Sequence, residues 1–298
     1  MLGCTWIGMV TINSNGLLEK FETDLSSSAL APATVVNYLA DLRAFLRWRE
    51  ETKDADCSPF QLEASDIRDF CLYLQENKRQ TPATINRRLQ ALRKFYGLAL
   101  EQGWAVTNPA DNVPLLEECV SGRSRSLTSE DVARLLAAAQ RGRSRQAARD
   151  LTIIQLLLGA GLKLSELTEL RLADVHLDAS QPHLEVRDAA GDSSRTVFLE
   201  DSVCDALRSY LPTRQAAPGV DQFCVNRDGN PLSTRSVQRL LHRYAEAAGL
   251  DGLTTQALRY VYARKVYEST GDLKVVAQHL GHRHLATTIR YLRPALEE

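Results

Sequence analysis

No apolar run in this chain of 298 residues approaches the roughly 20 residues that a bilayer-spanning helix needs, which excludes a helical membrane anchor. The stretch from Met1 to Gly16 lacks the basic segment that precedes the apolar core of a secretory signal, and residues 1–22 are expected to be a disordered leader. The six cysteines (Cys4, Cys57, Cys71, Cys119, Cys204, Cys224) include no C-x-x-C spacing. That argues against a zinc site and against a disulfide framework, so no metal is expected and the thiols are read as reduced in a cytoplasmic protein. Internal repeats and low-complexity segments are absent. An excess of charge is missing too: 36 Lys and Arg stand against 37 Asp and Glu, a formal net charge of -1.

Charge that cancels in the sum is unevenly distributed along the chain. Residues 1–120 hold 12 basic and 16 acidic side chains, whereas residues 121–298 hold 24 and 21. Residues 79–94 carry five basic residues (Arg79, Arg87, Arg88, Arg93, Lys94) and no acid, and residues 121–149 carry seven, Arg123 and Arg125 among them, against two acids. Most of these are arginines, whose planar fork suits phosphate oxygens.

The apolar spacing predicts a helix over 34–49, with Val35, Leu39, Leu42 and Leu46 on one face and Tyr38, Phe45 and Trp48 widening it. A second helix is expected over 65–75 with Ser65 as its cap. A third opens at Thr81-Pro82, a cap followed by proline at the first helical position, and aligns Ile85, Leu89, Leu92, Tyr96 and Ala99. Arg87 and Lys94 fall opposite that stripe at 100° per residue. Asn108-Pro109 and the mixed composition that follows mark a boundary. The division is therefore a helical domain over 23–112, a linker over 113–126 and a second domain over 127–298.

The second domain opens at Thr128 and Asp131, a capping-box pair, and continues into the apolar helix Leu151 to Leu158. Gly159-Ala160-Gly161 leads past Lys163 to a new helix near Ser165. Residues 184–187 and 196–199 alternate as the two strands of a hairpin around 188–194. Further helices are expected over 234–248, 258–268 and 273–280, the last capped by Asp272 and stopped by Gly281. In Leu280-Gly281-His282-Arg283-His284-Leu285-Ala286-Thr287-Thr288-Ile289-Arg290-Tyr291, the Thr pair is read as the cap of a final helix that carries Tyr291 in its first turns. The fold class is mainly α, with a helical first domain and a mostly helical second domain holding a small antiparallel sheet.

Several stretches in this order resemble the tyrosine recombinase and phage-type integrase family, most of all its Xer-type two-domain members. They are Ala33 to Phe45, Thr84 to Leu89 and Asn108-Pro109 in the first domain, and Gly161-Leu162-Lys163-Leu164-Ser165-Glu166-Leu167, Ala257-Leu258-Arg259 and Leu280 to Tyr291 in the second. The resemblance implies a SAM-like core-binding domain and a catalytic domain. It also implies attack of a tyrosine on a DNA phosphodiester to give a 3′-phosphotyrosyl link without a cofactor. Tyr291 matches the nucleophile, Arg259 the second arginine, His282 the late His/Trp position and Glu166 the acid after the first arginine.

Three positions depart from the family pattern. Lys163 stands for the first arginine and lacks its fork, Gln256 stands for the histidine of His-x-Leu-Arg, and Ala190 falls where the hairpin lysine is expected. The reading is a site-specific binder of double-stranded DNA that recombines or integrates DNA with weak, partner-dependent or lost activity. The alternative is a noncatalytic DNA-binding regulator or structural subunit. Arg87, Arg88, Lys94, Arg123 and Arg125 are the candidate DNA contacts, and self-association on DNA or a recombinase partner is expected.

Overall fold

The computed structural model describes residues 14–28, 30, 32–52, 59–117, 127–142, 146–187 and 193–296, and divides into two compact units, Met1–Ser121 and Gly122–Glu298. No helix among the described residues is long and apolar enough to cross a membrane.

The first unit is helical: α1 (Ser14–Ser27), α2 (Pro32–Thr52), α3 (Ala64–Glu76) and α4 (Pro82–Glu101). Its core sets a cluster of aromatic rings among leucines. Phe45 of α2 meets Phe70 of α3 edge to face at 5.1 Å and stacks on Trp48 at 6.0 Å, and Tyr96 of α4 donates its hydroxyl to the carbonyl of Pro59 at 2.8 Å. Thr81 caps α4 ahead of Pro82, as its sequence predicts. Three expectations are corrected. Residues 14–22 of the supposed leader form the first turns of α1, because Leu17 and Phe21 are buried in this core. Residues 113–117, read as the start of the linker, pack on the unit: Val113 is buried, and Asn86 exchanges hydrogen bonds of 2.9 and 2.8 Å with the backbone of Leu116. Helix α3 is capped at Glu63 rather than Ser65, since the Glu63 N–H donates to Asp66 at 2.8 Å.

The second unit runs α5 (Ser129–Gln140), α6 (Ala147–Gly159), α7 (Leu164–Glu169), β1 (Val175–His176), β2 (His183–Arg187), β3 (Ser193–Phe198), α8 (Asp201–Tyr210), α9 (Thr234–Ala247), α10 (Thr255–Thr270), α11 (Leu273–Leu280) and α12 (Leu285–Leu296). The strands form one antiparallel sheet in the order β1-β2-β3, with Leu184 opposite Val197 and Val186 opposite Arg195. Helix α6 is buried on several sides through Ile153, Ile154, Leu156 and Leu157, and α5, α7, α8, α9 and α10 pack against it. The Thr128–Asp131 capping box is formed in both directions at 3.1 Å. The last helix begins at Leu285, not after the Thr pair: Thr288 lies inside it, fully buried.

Asp150 in α6 has no exposure and is satisfied from three sides. Arg149 donates to Oδ1 at 2.6 and 3.0 Å, while Arg243 and the Tyr244 hydroxyl donate to Oδ2 at 2.6 and 3.1 Å. Removing one member of a buried ion network leaves the others desolvated without a partner, at about 3–5 kcal/mol. Asp150→Ala is expected to lower the unfolding free energy by that amount in urea titrations, and Asp150→Asn by less because its amide oxygen still accepts.

Candidate active site

Three pieces of the second unit, a loop, a strand and a helix, converge on one carboxylate. Glu166, on the short helix α7, accepts the backbone N–H of Lys163 at 2.7 Å, which caps the helix, and lies 3.3 Å from the Lys163 ammonium. Arg195, from β3, closes on it as a fork: Nη1 reaches Oε1 at 2.9 Å and Nη2 reaches Oε2 at 2.8 Å. Arg259, from α10, stands 3.8 Å away. Burial alone raises the Glu166 carboxyl, but the bonds and charge of Arg195 and then those of Lys163 outweigh it and hold the pKa below the usual value.

Arg259 is buried and oriented by the backbone, donating to the carbonyls of Gly161 and Leu280. Burial pulls its pKa down and Glu166 pushes it back, and a guanidinium stays cationic at neutral pH throughout. Both contact points depend on glycines with left-handed backbones. At Gly161 (φ 57°) a Cβ would come within 2.2 Å of the Tyr262 ring, and at Gly281 (φ 63°) within 2.8 Å of the Arg195 guanidinium.

Tyr291, on α12, donates its hydroxyl to the backbone carbonyl of Gln256 at 3.1 Å. Its ring meets that of His282 edge-on at 5.7 Å and that of Tyr260 at 5.9 Å. Burial pushes the phenol up to about 12, against the pull of the Arg259 charge. The Nδ1 of His282 is 2.9 Å from the buried Thr288 hydroxyl. Burial, and then the charges of Arg259, Lys163 and Arg195, push this imidazole down to about 4, so it is neutral at physiological pH.

The structure thus brings together Lys163, Glu166, Arg259, His282 and Tyr291, all expected from the sequence. Gln256 joins them differently, since its backbone carbonyl, not its amide side chain, meets Tyr291. Ala190, Arg123 and Arg125 lie outside the described residues. Arg87, Arg88 and Lys94 are on α4 of the first unit, where each faces a carboxylate. Arg87 and Arg88 pair with the buried Asp41, Arg88 at 3.6 Å, and Lys94 lies 3.8 Å from Asp24. Burial raises the Asp41 pKa despite both arginines.

Arg195 is the site residue that the sequence reading missed. The signal was present in the alternation of β3, where Arg195 and Val197 share the inward face, so an arginine there needed a buried acid to meet.

The chain is thus a helical unit followed by a mostly helical unit with a three-stranded sheet, the latter carrying a phenol beside a buried arginine. Comparisons with known proteins give the class to which it belongs. Residues 125–298 match the Phage integrase family, and residues 17–106 match the Phage integrase N-terminal SAM-like domain. The chain is 30% identical over 287 residues to tyrosine recombinase XerA of Thermococcus kodakarensis, covering 95% of this chain and 92% of that one. It is 32% identical over 287 residues to tyrosine recombinase XerC of Alcanivorax borkumensis, covering 94% and 89%. Among solved structures, XerH site-specific recombinase bound to palindromic difH substrate in a post-cleavage complex aligns with TM-score 0.77 at 18% identity, over 96% of this chain and 83% of that one. A lambda integrase dimer bound to a COC′ core site aligns with TM-score 0.71 at 20% identity, over 93% and 94%. The chain belongs to the phage integrase family, with Xer-type tyrosine recombinases among its relatives.

The low pKa of His282 has a consequence for stability. Unfolded, the imidazole takes up its proton near pH 6.5; folded, only near 4, so the unfolded state binds more protons between these values. The stability this residue contributes is complete above about pH 6.5 and falls as the pH drops towards 4. Urea titrations across that range should give a shallower loss for His282→Asn than for the wild type.

Proposed function

We propose that this chain recognises a site in double-stranded DNA and breaks and rejoins it through Tyr291, at a slow intrinsic rate. The observation that carries this reading is the placement of the Tyr291 hydroxyl, held on the Gln256 carbonyl beside the buried Arg259. In the proposed step the phenolic oxygen bonds to phosphorus and gives up its proton, and the bond from phosphorus to the 5′ oxygen breaks. The phenol's proton passes to solvent water and the leaving oxygen takes one from it, so that oxygen leaves as a hydroxyl with no net change in protons. Attack by a 5′-hydroxyl from a partner strand reverses the bonds and restores the tyrosine, so no cofactor enters.

Rate follows from which groups are available. Arg259 and Lys163 supply the charge that faces the developing oxyanion, and His282 acts as a neutral hydrogen-bonding group. Lys163 offers a point charge where the family has a fork. Without the hairpin lysine at Ala190, the leaving oxygen lacks a positioned acid, a loss of about 10² to 10⁴ in rate. A second reading, a DNA-binding subunit that does not cleave, is favoured by the phenol held near pKa 12 in a site with these replacements.

Lys94, Arg123 and Arg125 are assigned to phosphate contacts, with Arg87 and Arg88 contributing only to the extent that phosphate competes with Asp41. Two copies are inferred to meet on one DNA site, in line with the dimeric lambda integrase complex. A cytoplasmic setting fits the unpaired Cys71, Cys204 and Cys224.

The test uses duplexes selected by the protein from random or genomic DNA, nicked so that cleavage traps the protein. A DNA adduct that survives denaturing electrophoresis in the wild type and vanishes in Tyr291→Phe is the expected result. Salt-dependent binding with no adduct would decide for the noncatalytic reading.

A further inference from the structure

We propose that the outer face of the small sheet holds a divalent transition-metal ion, with Zn²⁺ as the natural occupant, between His176, His183 and Glu185. One ligand atom of each residue lies within 4.8 Å of the others. The strand geometry explains why. His176 on β1 pairs with His183 on β2, and Glu185 follows His183 by two residues, so all three side chains leave the same side of the sheet. The alternate residues Leu184 and Val186 point inward to Val197 and Arg195. The three donors therefore sit on the opposite side from the fork that enters the active site.

Both imidazoles are prepared in a way that ring packing alone does not require. The Nδ1 of His183 lies 2.9 Å from the carbonyl of Gln181, to which it donates its proton. That bond fixes the tautomer with a lone pair on Nε2, as metal-binding histidines commonly require. The Nε2 of His176 is buried and has no hydrogen-bond partner, and it lies 3.7 Å from the Glu185 carboxylate. The two imidazoles are stacked at 4.6 Å, with Phe198 against His183 at 6.1 Å as an apolar wall. All three residues are half-exposed, so rotation of their side chains suffices to bring the donors to bonds of about 2.0–2.2 Å. Two imidazoles and a carboxylate are a nitrogen and oxygen set that suits Zn²⁺, with water in the fourth position.

The ion would act as a clip. Two residue pairs hold β1 to β2, and a metal bound from both strands adds a third tie. The site lies outside the phosphate chemistry and is independent of it.

Tag-free full-length protein titrated with Zn²⁺ by calorimetry is expected to show one site per chain, weakened at least tenfold in His176→Ala and in His183→Ala. Glu185→Gln should weaken it less than either. Both histidines are half-exposed, so these variants should melt like the wild type when metal is absent. A second measurement needs no variant: Zn²⁺ should slow amide hydrogen exchange in the wild type over residues 175–185. Absence of a one-to-one site, unchanged affinity in the histidine variants, or protection elsewhere in the chain would overturn the proposal.

Discussion

The pairing of Glu166 with Arg195 is the constraint on which the second unit's site depends. Both side chains are nearly excluded from solvent, 9% and 7% exposed, so neither tolerates loss of the other. The carboxylate also caps α7 through the Lys163 N–H and draws the Lys163 ammonium and the Arg259 guanidinium to one side. A single buried anion thus gathers three cations from a loop, a strand and a helix. Without it their mutual repulsion in a low-dielectric setting would drive them apart.

That arrangement sets the character of the neighbouring groups. Burial, together with the cations around Glu166, keeps His282 uncharged, and burial keeps Tyr291 protonated although Arg259 opposes it. The site is therefore electropositive behind a neutral imidazole and a phenol, a polarity that suits the phosphate diester of the proposed reaction. Its weakness lies in the geometry of the cations. The residue with the best fork for phosphate, Arg195, is committed to Glu166, while the exposed Lys163 is a point charge.

Much of this was legible from residue order. Capping residues located α4, α5 and α11 because a cap needs only neighbours in sequence: Thr81, the Thr128–Asp131 pair and Asp272 each bond within three residues. The resemblance located Lys163, Glu166, Arg259, His282 and Tyr291. Errors arose where tertiary contacts decided. Residues 14–22 of α1 read as leader in the sequence because the burial of Leu17 and Phe21 depends on partners more than twenty residues away. Thr288 looked like a cap, yet its hydroxyl serves His282 from inside α12. Arg87 and Arg88 looked like an open basic face until Asp41, forty-odd residues earlier, claimed them. Arg195 escaped notice because its role depends on an acid 29 residues upstream.

One strand of the sheet, β3, presents Arg195 inward to Glu166 and Phe198 outward beside His183, so its two faces serve separate surroundings. The central claim is that Glu166 and Arg195 act as one unit. A double-mutant cycle with Glu166→Gln, Arg195→Gln and their combination, followed by urea unfolding, measures that directly. The predicted coupling is about 2 kcal/mol or more, and effects that add to within about 0.5 kcal/mol would contradict the account.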